Sequence, residues 1–311
     1  MSLRDGQRLR TFALVVDLGS ISAAADVLGY TQSAVSQQLA ALEREVGLAL
    51  VDRSQRPLRA TPAGATLRPH VDRALAALGA AAAAVDDLRG GTPRLRLAAF
   101  PSALSSFVPA AVRDVRRTHP DVVVQVLQLE TEEAIDRLRT GAADVAVVHH
   151  MPGVGTLDVS GLRRRRLLVD DLHVVLADGH RLARRREVSV ADLEDEPLVL
   201  PRRDTPAGRF RAVVEQLCAQ AGFAPRVAYE LDDLPAAQAF VAAGVATVLM
   251  HGLTLTTLPA GATVRPLAER PAGSRTVEAL APTRAGPAIA DDLLERLDGA
   301  AARGRSTITR R

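Results

Sequence analysis

The first part of the chain alternates between apolar positions at helical spacing and short breaks. One face of the stretch 31–46 carries apolar residues three or four positions apart: Val35, Leu39, Leu42 and Val46. This spacing predicts an amphipathic helix. A first helix ending at Gly19 and a second over 21–28, with Ser20 as its N-cap, are expected before it. With a tight turn at Gly29, these elements form a helix-turn-helix pattern.

The polar side of the third predicted helix carries hydroxyl and amide side chains: Thr31, Gln32, Ser33, Ser36 and Gln37. Such groups donate and accept hydrogen bonds, which suits the distinct pattern that each base pair presents in the major groove. A solvated helix face would look the same, so these residues alone are weak support. The preceding helix and turn favour a recognition helix, and we expect these residues to contact DNA.

The segment after Gly47 predicts a basic wing. It carries Arg53, Arg56 and Arg59 around Pro57, in a run too short and interrupted for another helix. Two short strands with a basic tip would place guanidinium groups against phosphates or in a minor groove. A solvated arginine loop is the alternative, and we would prefer it if the segment stood alone. Its position directly after the predicted recognition helix favours the wing.

Thr61 and Pro62 predict the start of a long helix, because threonine is a good N-cap and proline fits the first helical position. Its apolar positions are close to a heptad seam: Val71, Leu75, Leu78, Ala82, Val85 and Leu88. A long helix with one apolar stripe needs a partner, and a second copy of the chain is the simplest one. The residues 90–93 break the helix, so we expect a linker and dimerisation helix over 63–91.

From residue 92 onward, apolar strands alternate with helices, which predicts an α/β domain with crossover units and a parallel sheet. Strands are expected at 95–100, 122–129, 144–148, 172–176, 198–200, 226–231, 246–250, 264–267 and 276–281. Helices are expected from 101 to about 118 and at 132–139, 210–220, 235–241 and 289–297. We predict two lobes with a ligand cleft between them, lobe I at about 92–166 and 270–311 and lobe II at about 167–269.

Composition narrows the class of protein without deciding it. Hydrophobic residues make up 47% and charged residues 24% of the chain, as in ordinary soluble proteins. The single Cys218 excludes an internal disulfide and a cysteine zinc cage, and it favours a reducing cytoplasm. No apolar run reaches about 18 residues, and the N-terminus lacks a signal core. We therefore expect a cytoplasmic protein with no membrane partner and no cofactor.

Two alternatives to a DNA-binding protein are an α/β enzyme and a solute-binding protein with an accessory helical domain. No GxSxG, HExxH, P-loop or GxGxxG motif appears in the required context. His149 and His150 follow a strand, but no third metal ligand has suitable spacing. Cys218 lies on an apolar helix face and fits a core better than a nucleophile. Neither alternative needs the N-terminal helix-turn-helix pattern.

The N-terminal motifs follow one another along the chain in an order that resembles the DNA-binding domain of LysR-type transcriptional regulators. The matching residues are Phe12, Ser20, Gly47, Arg53 and the stretches 24–25, 32–36, 42–43 and 61–64. The chain departs from the family pattern at Val51, where phenylalanine is usual, and at Arg59, where an uncharged residue is commoner. The first departure should reduce core packing, and the second should add a phosphate contact.

The resemblance implies a winged helix-turn-helix domain over 1–62 and a periplasmic-binding-protein-like effector domain over 92–311. It implies sequence-specific binding to double-stranded promoter DNA, modulated by a small-molecule effector bound between two lobes. Self-association as a dimer or tetramer is expected on the same ground, with RNA polymerase as a further candidate partner.

Positions that the family uses for effector contacts fall at strand ends: Phe100, Pro101, Ser102, Thr131, Arg202, Thr205 and Asp232. Ser102 would either donate a hydrogen bond to a ligand carboxylate or cap its helix, and the sequence does not decide between these roles. Lysine and arginine together number 39, all of them arginine, so a solvent-facing position is favoured over effector binding for Arg202. The four arginines at 163–166 could attract nucleic acid, but we expect them on a solvated face where the chain crosses between the lobes. Glu130 disfavours a strongly anionic ligand, and the effector's charge stays open.

Overall fold

The computed structural model describes residues 6–54, 57–88, 93–151, 157–205, 207–269, 273–283 and 288–308. Contacts group the chain into two units: Met1–Pro93 with Asp136–Ala143, and Arg94–Ile135 with Asp144–Arg311. The first unit consists mainly of helices with one small hairpin, and the second contains the sheets of an α/β fold. No helix in the described ranges is long and apolar enough to cross a membrane.

The first unit contains the predicted helix-turn-helix and wing. Its elements are α1 (Gly6–Leu18), α2 (Ile21–Leu28), α3 (Gln32–Val46), β1 (Val51–Asp52), β2 (Arg59–Ala60) and α4 (Pro62–Leu88), with β1 and β2 paired antiparallel. The Ser20 hydroxyl accepts a hydrogen bond from the Ala23 amide at 3.3 Å. Thr31 caps α3 in the same way, through the Ala34 amide at 3.2 Å. Both caps satisfy amides that would otherwise lack a helical partner, which explains where α2 and α3 begin.

One apolar core holds these elements together. It includes Leu9, Phe12, Val15, Val35, Leu39, Leu42, Leu50, Val51 and Val71. Val51, one of the two departures from the family pattern, lies inside this core at 3% exposure. The apolar face predicted for α3 is therefore the face that α3 buries.

The residues 61–64 lie where α4 begins against the end of the wing. The Thr61 hydroxyl donates to the Ala49 carbonyl at 2.7 Å and accepts from the Gly64 amide at 3.1 Å. A Cβ added at Gly64 would lie 2.1 Å from the Leu50 carbonyl oxygen. Since no side chain tolerates that distance, this backbone approach requires glycine.

The predicted seam of α4 divides into two parts. Val71 is buried and Leu75 packs against the core of the first unit, whereas Leu78 and Val85 are 54% and 45% exposed. The prediction that the whole stripe faces a partner is wrong for Val71, because α4 uses that turn to pack on its own domain. Arg68 on the same turn bonds both carboxylate oxygens of Asp17, at 2.7 and 2.9 Å. The side chains of Ala82 and Leu88, and the predicted break at 90–92, lie outside the described residues.

The second unit has an α/β architecture. Its elements are β3 (Arg94–Ala99), α5 (Pro101–Leu104), α6 (Val108–Thr118), β4 (Val123–Gln128), α7 (Thr131–Arg139), β5 (Val145–His150), β6 (Leu162–Asp170), β7 (Leu172–Ala177), β8 (Leu198–Leu200), α8 (Gly208–Gln220), β9 (Val227–Glu230), α9 (Leu234–Ala242), β10 (Val248–His251), β11 (Ala262–Pro266), β12 (Arg275–Pro282) and α10 (Ala288–Ile308). Short 3₁₀ turns follow β7 and β10.

Two sheets define two lobes. The lobe I sheet has the order β4-β3-β5-β12-β6, and the lobe II sheet has the order β10-β7-β11, with the β8-β9 pair beside it. β3 is parallel to β4 and β5, as predicted, and β8 is parallel to β9. β12 and β7 run antiparallel to both of their neighbours. The expected parallel sheet is therefore correct for β3, β4 and β5 and wrong for β12, which returns from the other lobe and runs in the opposite direction.

Two element predictions in lobe I are corrected. The single helix expected from 101 to about 118 is two helices, α5 and α6. The Ser106 hydroxyl bonds the Ser102 carbonyl at 2.5 Å in the turn between them, and Pro109 lies at the start of α6. The strand β6 was not predicted, and it continues beyond the lobe boundary placed near 166 to Asp170. Its residues 163–166 are exposed, as expected, and its residues 167–168 are buried.

Candidate DNA-reading surface and effector cavity

The predicted reading residues share one surface of α3. Thr31, Gln32, Ser33 and Gln37 are exposed, and Ser36 is partly exposed. The Thr31 and Ser33 hydroxyls lie 2.9 Å apart and share a hydrogen bond. Because the buried residues of α3 occupy its other side, the fold presents these polar groups to solvent at the start of the helix.

The two adjacent glutamines of α3 have different environments. Gln38 accepts a hydrogen bond from the Thr11 hydroxyl of α1 at 2.6 Å, so it belongs to the helix packing. Gln37 is exposed, which keeps its amide available to an external partner. Gln37 therefore faces solvent, whereas Gln38 contributes to the packing between α1 and α3.

The two described arginines of the wing, Arg53 and Arg59, differ in their ion pairing. Arg53 donates to a Glu43 carboxylate oxygen at 3.0 Å, and the other oxygen of Glu43 accepts from the Leu50 and Val51 amides. This carboxylate therefore joins α3 to β1 and also neutralises Arg53. Arg59 is exposed and has no ion pair among the described residues. Arg56 lies outside the described residues.

A cavity of about 310 Å³ lies between the lobes of the second unit. Its lining includes Phe100, Pro101, Ser102, Glu130, Thr131, Glu132, His149, His150, Met151, Leu157, Ala207, Arg209, Phe210, Asp232, Leu234, Leu249, Met250, His251, Thr254 and Arg275. The structure thus brings together Phe100, Pro101, Ser102, Thr131 and Asp232, which the sequence placed at separate strand ends. Arg202 and Thr205 do not line the cavity.

The floor of the cavity is built around a buried ion pair. Arg275 donates to Asp170 at 2.9 and 2.7 Å and to the Ser102 hydroxyl at 2.7 Å. Its guanidinium also lies 4.9 Å from the centre of the Phe100 ring. Burial raises the pKa of Asp170, and the positive charge of Arg275 opposes that rise. Because Ser102 accepts from Arg275, its own hydroxyl proton remains available to a ligand.

Two uncharged histidines complete the inner wall. Burial, with Arg275 nearby, lowers the pKa of His149 to about 3. Burial also lowers the pKa of His251 well below its usual value, and its Nε2 donates to the Gly273 carbonyl at 3.0 Å. The His149 ring meets Phe100 edge to face at 4.7 Å. His149 Nδ1 is buried without a hydrogen-bond partner among the described atoms.

Four of the predicted effector residues are bonded to other groups of the fold. The Thr131 hydroxyl donates to the His149 carbonyl at 3.0 Å and accepts from the His149 amide at 3.2 Å. Asp232 accepts from the Arg202 amide and the Thr205 hydroxyl, both at 3.0 Å, and pairs with Arg202 Nε at 3.2 Å. Thr131 therefore ties α7 to β5, and Arg202 and Thr205 hold Asp232 in place.

The mouth of the cavity is acidic and is crossed by an ion pair. Arg209 of lobe II pairs with Glu132 of lobe I, and both side chains are more than half exposed. Glu130 lies beside them and makes no side-chain hydrogen bond or ion pair within the described ranges. Burial and the neighbouring Glu132 raise the pKa of Glu130.

The sequence did not single out several groups that shape the cavity, notably Arg275, His251, Phe210 and Arg209. The sequence indicates His149 only as a candidate metal ligand, and no cluster of side chains in the described ranges is arranged to hold a metal ion. Strand ends were a usable signal for His149 and His251, which lie at or near the ends of β5 and β10. No sequence pattern distinguishes Arg275 from the other arginines, because its ion pair with the buried Asp170 forms only in the folded chain.

Comparison with known proteins assigns the class. Residues 7–65 match the model of the bacterial regulatory helix-turn-helix proteins of the lysR family, and residues 88–302 match the LysR substrate binding domain. The chain belongs to the LysR family. It is a DNA-binding transcriptional regulator with an effector-binding domain, and this membership decides against both the enzyme and the solute-binding alternatives.

Individual relatives agree with this class. A probable hydrogen peroxide-inducible genes activator of Mycobacterium avium is 36% identical over 196 residues, which span 62% of this chain and 60% of that protein. The transcriptional regulator ShiR of Corynebacterium glutamicum (strain R) is 34% identical over 81% of this chain and 84% of its own. The crystal structure of CbnR, a LysR family regulator, superposes with a TM-score of 0.67 at 21% identity, over 96% of this chain and 99% of CbnR. These matches confirm the predicted fold class.

Proposed function

We propose that α3 and the wing bind promoter DNA, and that the cavity between the lobes binds a small-molecule effector that changes this binding. Gln32, Ser33, Ser36 and Gln37 would contact base edges in the major groove, with Thr31 at the start of the helix. The supporting observation is the exposed polar surface of α3. The opposite side of the helix buries Val35, Leu39 and Leu42 in the core. Arg53, Arg56 and Arg59 would contact phosphates.

The effector would act through the arrangement of the lobes. Lining residues come from both lobes, so a ligand contacts both and favours the arrangement in which its contacts are best. The pair between Arg209 and Glu132 is one contact that such a change would alter. Phe100, Pro101 and Ser102 would touch the ligand directly, while Thr131, Arg202, Thr205 and Asp232 would shape the site.

We assign the domains as 1–62 for DNA binding, 63–91 for the linker helix and 92–311 for effector binding. The exposed Leu78 and Val85 of α4 support self-association through that helix. A cytoplasmic location is proposed, because a regulator that binds promoter DNA must reach it.

The Mycobacterium avium relative is named for hydrogen peroxide-inducible genes, but the cysteine content of this chain does not support peroxide sensing through a thiol. Cys218 is the only cysteine in the sequence and is buried. Burial and Glu215 raise the pKa of its thiol to about 11. Since the thiolate is the reactive species, this cysteine is poorly suited to react with an oxidant.

Selection of duplexes from a randomised DNA library tests the proposed function. The full-length protein should enrich one motif with related half-sites, as expected for a dimer with two reading heads. Recovery of duplexes without any common motif would contradict sequence-specific binding.

A further inference from the structure

The charges that line the cavity do not balance. Among the described lining residues the cations are Arg209 and Arg275, and the carboxylates are Glu130, Glu132 and Asp232. The two lining histidines with resolved pKa shifts, His149 and His251, have strongly lowered pKa values and carry no charge at neutral pH. The ligand class therefore depends on which of these charges already have partners.

Both cations are occupied. Arg275 is only 7% exposed and is bonded to Asp170 and Ser102, so its charge is already neutralised by a buried carboxylate. Arg209 is paired with Glu132 at the mouth. A carboxylate ligand would therefore add a negative charge to a site whose two cations are already neutralised by carboxylates of the fold.

One carboxylate remains without a partner. Glu132 is paired with Arg209, and Asp232 is held by Arg202 and Thr205. Glu130 has neither an ion pair nor a side-chain hydrogen bond among the described residues, and it lies next to Glu132. Partial burial and the adjacent Glu132 raise the pKa of Glu130, while the charges of Arg275 and Arg209 oppose that rise.

Much of the remaining wall is apolar, and the volume of the cavity allows only a small ligand. Phe100, Phe210, Met151, Leu249 and Met250 contribute much of the lining. A volume of about 310 Å³ is at the lower end of ligand sites and suits a ligand with about one ring. Ser102 supplies one available hydroxyl proton within this apolar surface.

We infer that the cavity binds a compact apolar molecule with a single protonated amine, whose ammonium group pairs with Glu130 while its apolar body lies against Phe100 and Phe210. Such a ligand supplies the one positive charge that the lining lacks. This inference rests on the proposed effector role of the cavity and adds the chemical class of the effector.

Three probes of similar shape separate the alternatives: 2-phenylethylamine, 2-phenylethanol and phenylacetate. Binding to the full-length protein is measured by calorimetry and by the shift in melting temperature, without DNA. The amine should bind about two- to fivefold more tightly than the alcohol and the carboxylate, the range expected for one partly exposed ion pair. Glu130→Gln should remove this preference, whereas Glu295→Gln, an exposed residue of α10 outside the cavity, should keep it.

Tighter binding of phenylacetate, equal binding of all three probes, or no binding of any probe at millimolar concentration would overturn the inference. An unchanged amine preference in Glu130→Gln would overturn the assignment to Glu130. Because these measurements need no DNA, their failure is distinct from failure of the duplex selection, which tests the regulator itself.

Discussion

Arg275 donates to the Ser102 hydroxyl at 2.7 Å, which joins the first residue of β12 to the start of α5. The same guanidinium neutralises Asp170 at the end of β6, and the other oxygen of Asp170 accepts from the Leu253 amide at 3.0 Å. The cavity floor is therefore bonded to the segments through which the chain passes between the lobes. A ligand that moves Ser102 or Phe100 would disturb these connections directly.

The first prediction concerns this buried pair. Arg275→Met should lower the free energy of unfolding of the α/β domain by about 3–5 kcal/mol, because it leaves Asp170 buried without a counter-charge. Urea unfolding followed by circular dichroism measures the effect. The double variant Arg275→Met with Asp170→Asn should recover part of the loss. Arg166→Met, at an exposed arginine, should change the stability by less than about 0.5 kcal/mol. Equal effects of Arg275→Met and Arg166→Met would contradict the prediction.

A second prediction uses two glycines of α4. Gly64→Ala should lower the melting temperature and DNA affinity, because the added Cβ would collide with the Leu50 carbonyl oxygen. Gly79→Ala meets no atom within 4 Å and should stabilise the helix by roughly 0.5–1 kcal/mol. Thermal unfolding of both variants checks the pair. A Gly64→Ala variant as stable as Gly79→Ala would show that the backbone approach is not tight.

Salt dependence separates the two described wing arginines. Arg59→Ala should weaken binding to all duplexes alike and reduce the slope of log affinity against log salt by about 1, as for one lost phosphate contact. Arg53→Ala should have a smaller effect, because Glu43 already neutralises Arg53. Fluorescence anisotropy at several salt concentrations measures both slopes. A larger loss from Arg53→Ala would reverse this order.

The lowered pKa of His149 predicts a pH dependence. The folded pKa is about 3. An unfolded histidine has a pKa of about 6.5, so between these values the unfolded chain binds a proton that the native chain does not. Stability should therefore fall as the pH drops from 6.5 toward 3, by at most about 1.4 kcal/mol per pH unit from this residue. His149→Gln should flatten the stability profile relative to the parent, and Gln220→Ala, at an exposed glutamine of α8, should not. Parallel profiles for the parent and His149→Gln would refute this prediction.

The elements of the DNA-binding domain were predictable because local signals agree there. The caps at Ser20 and Thr31, the glycine turns and the apolar face of α3 all indicate the same elements. The strand β6 was missed because the four arginines at 163–166 hide its strand pattern. Ion pairs with residues distant in sequence, such as Arg164 with Glu278 at 2.8 Å, accommodate those charges.

The cavity was only partly predictable for a related reason. Strand ends correctly suggested Phe100, Pro101 and Ser102 as lining residues. Whether a polar group is free for a ligand depends on tertiary partners, which is why Thr131 and Asp232 looked available in the sequence. Arg275 and Asp170 are 105 residues apart in the chain, and only the folded sheet brings them together.

If α3 reads base sequence, the loss of the Gln32 amide should weaken binding to a duplex enriched by the selection, and the affinity of Gln32→Ala measures this loss. Gln220→Ala, at an exposed glutamine of α8, is the matched control. Gln32→Ala should lose about 1–3 kcal/mol of binding free energy on the selected duplex and tolerate changes at one base pair, while the control should bind like the parent. Parent-like affinity and base preference in Gln32→Ala would contradict the assignment of this helix surface to DNA recognition.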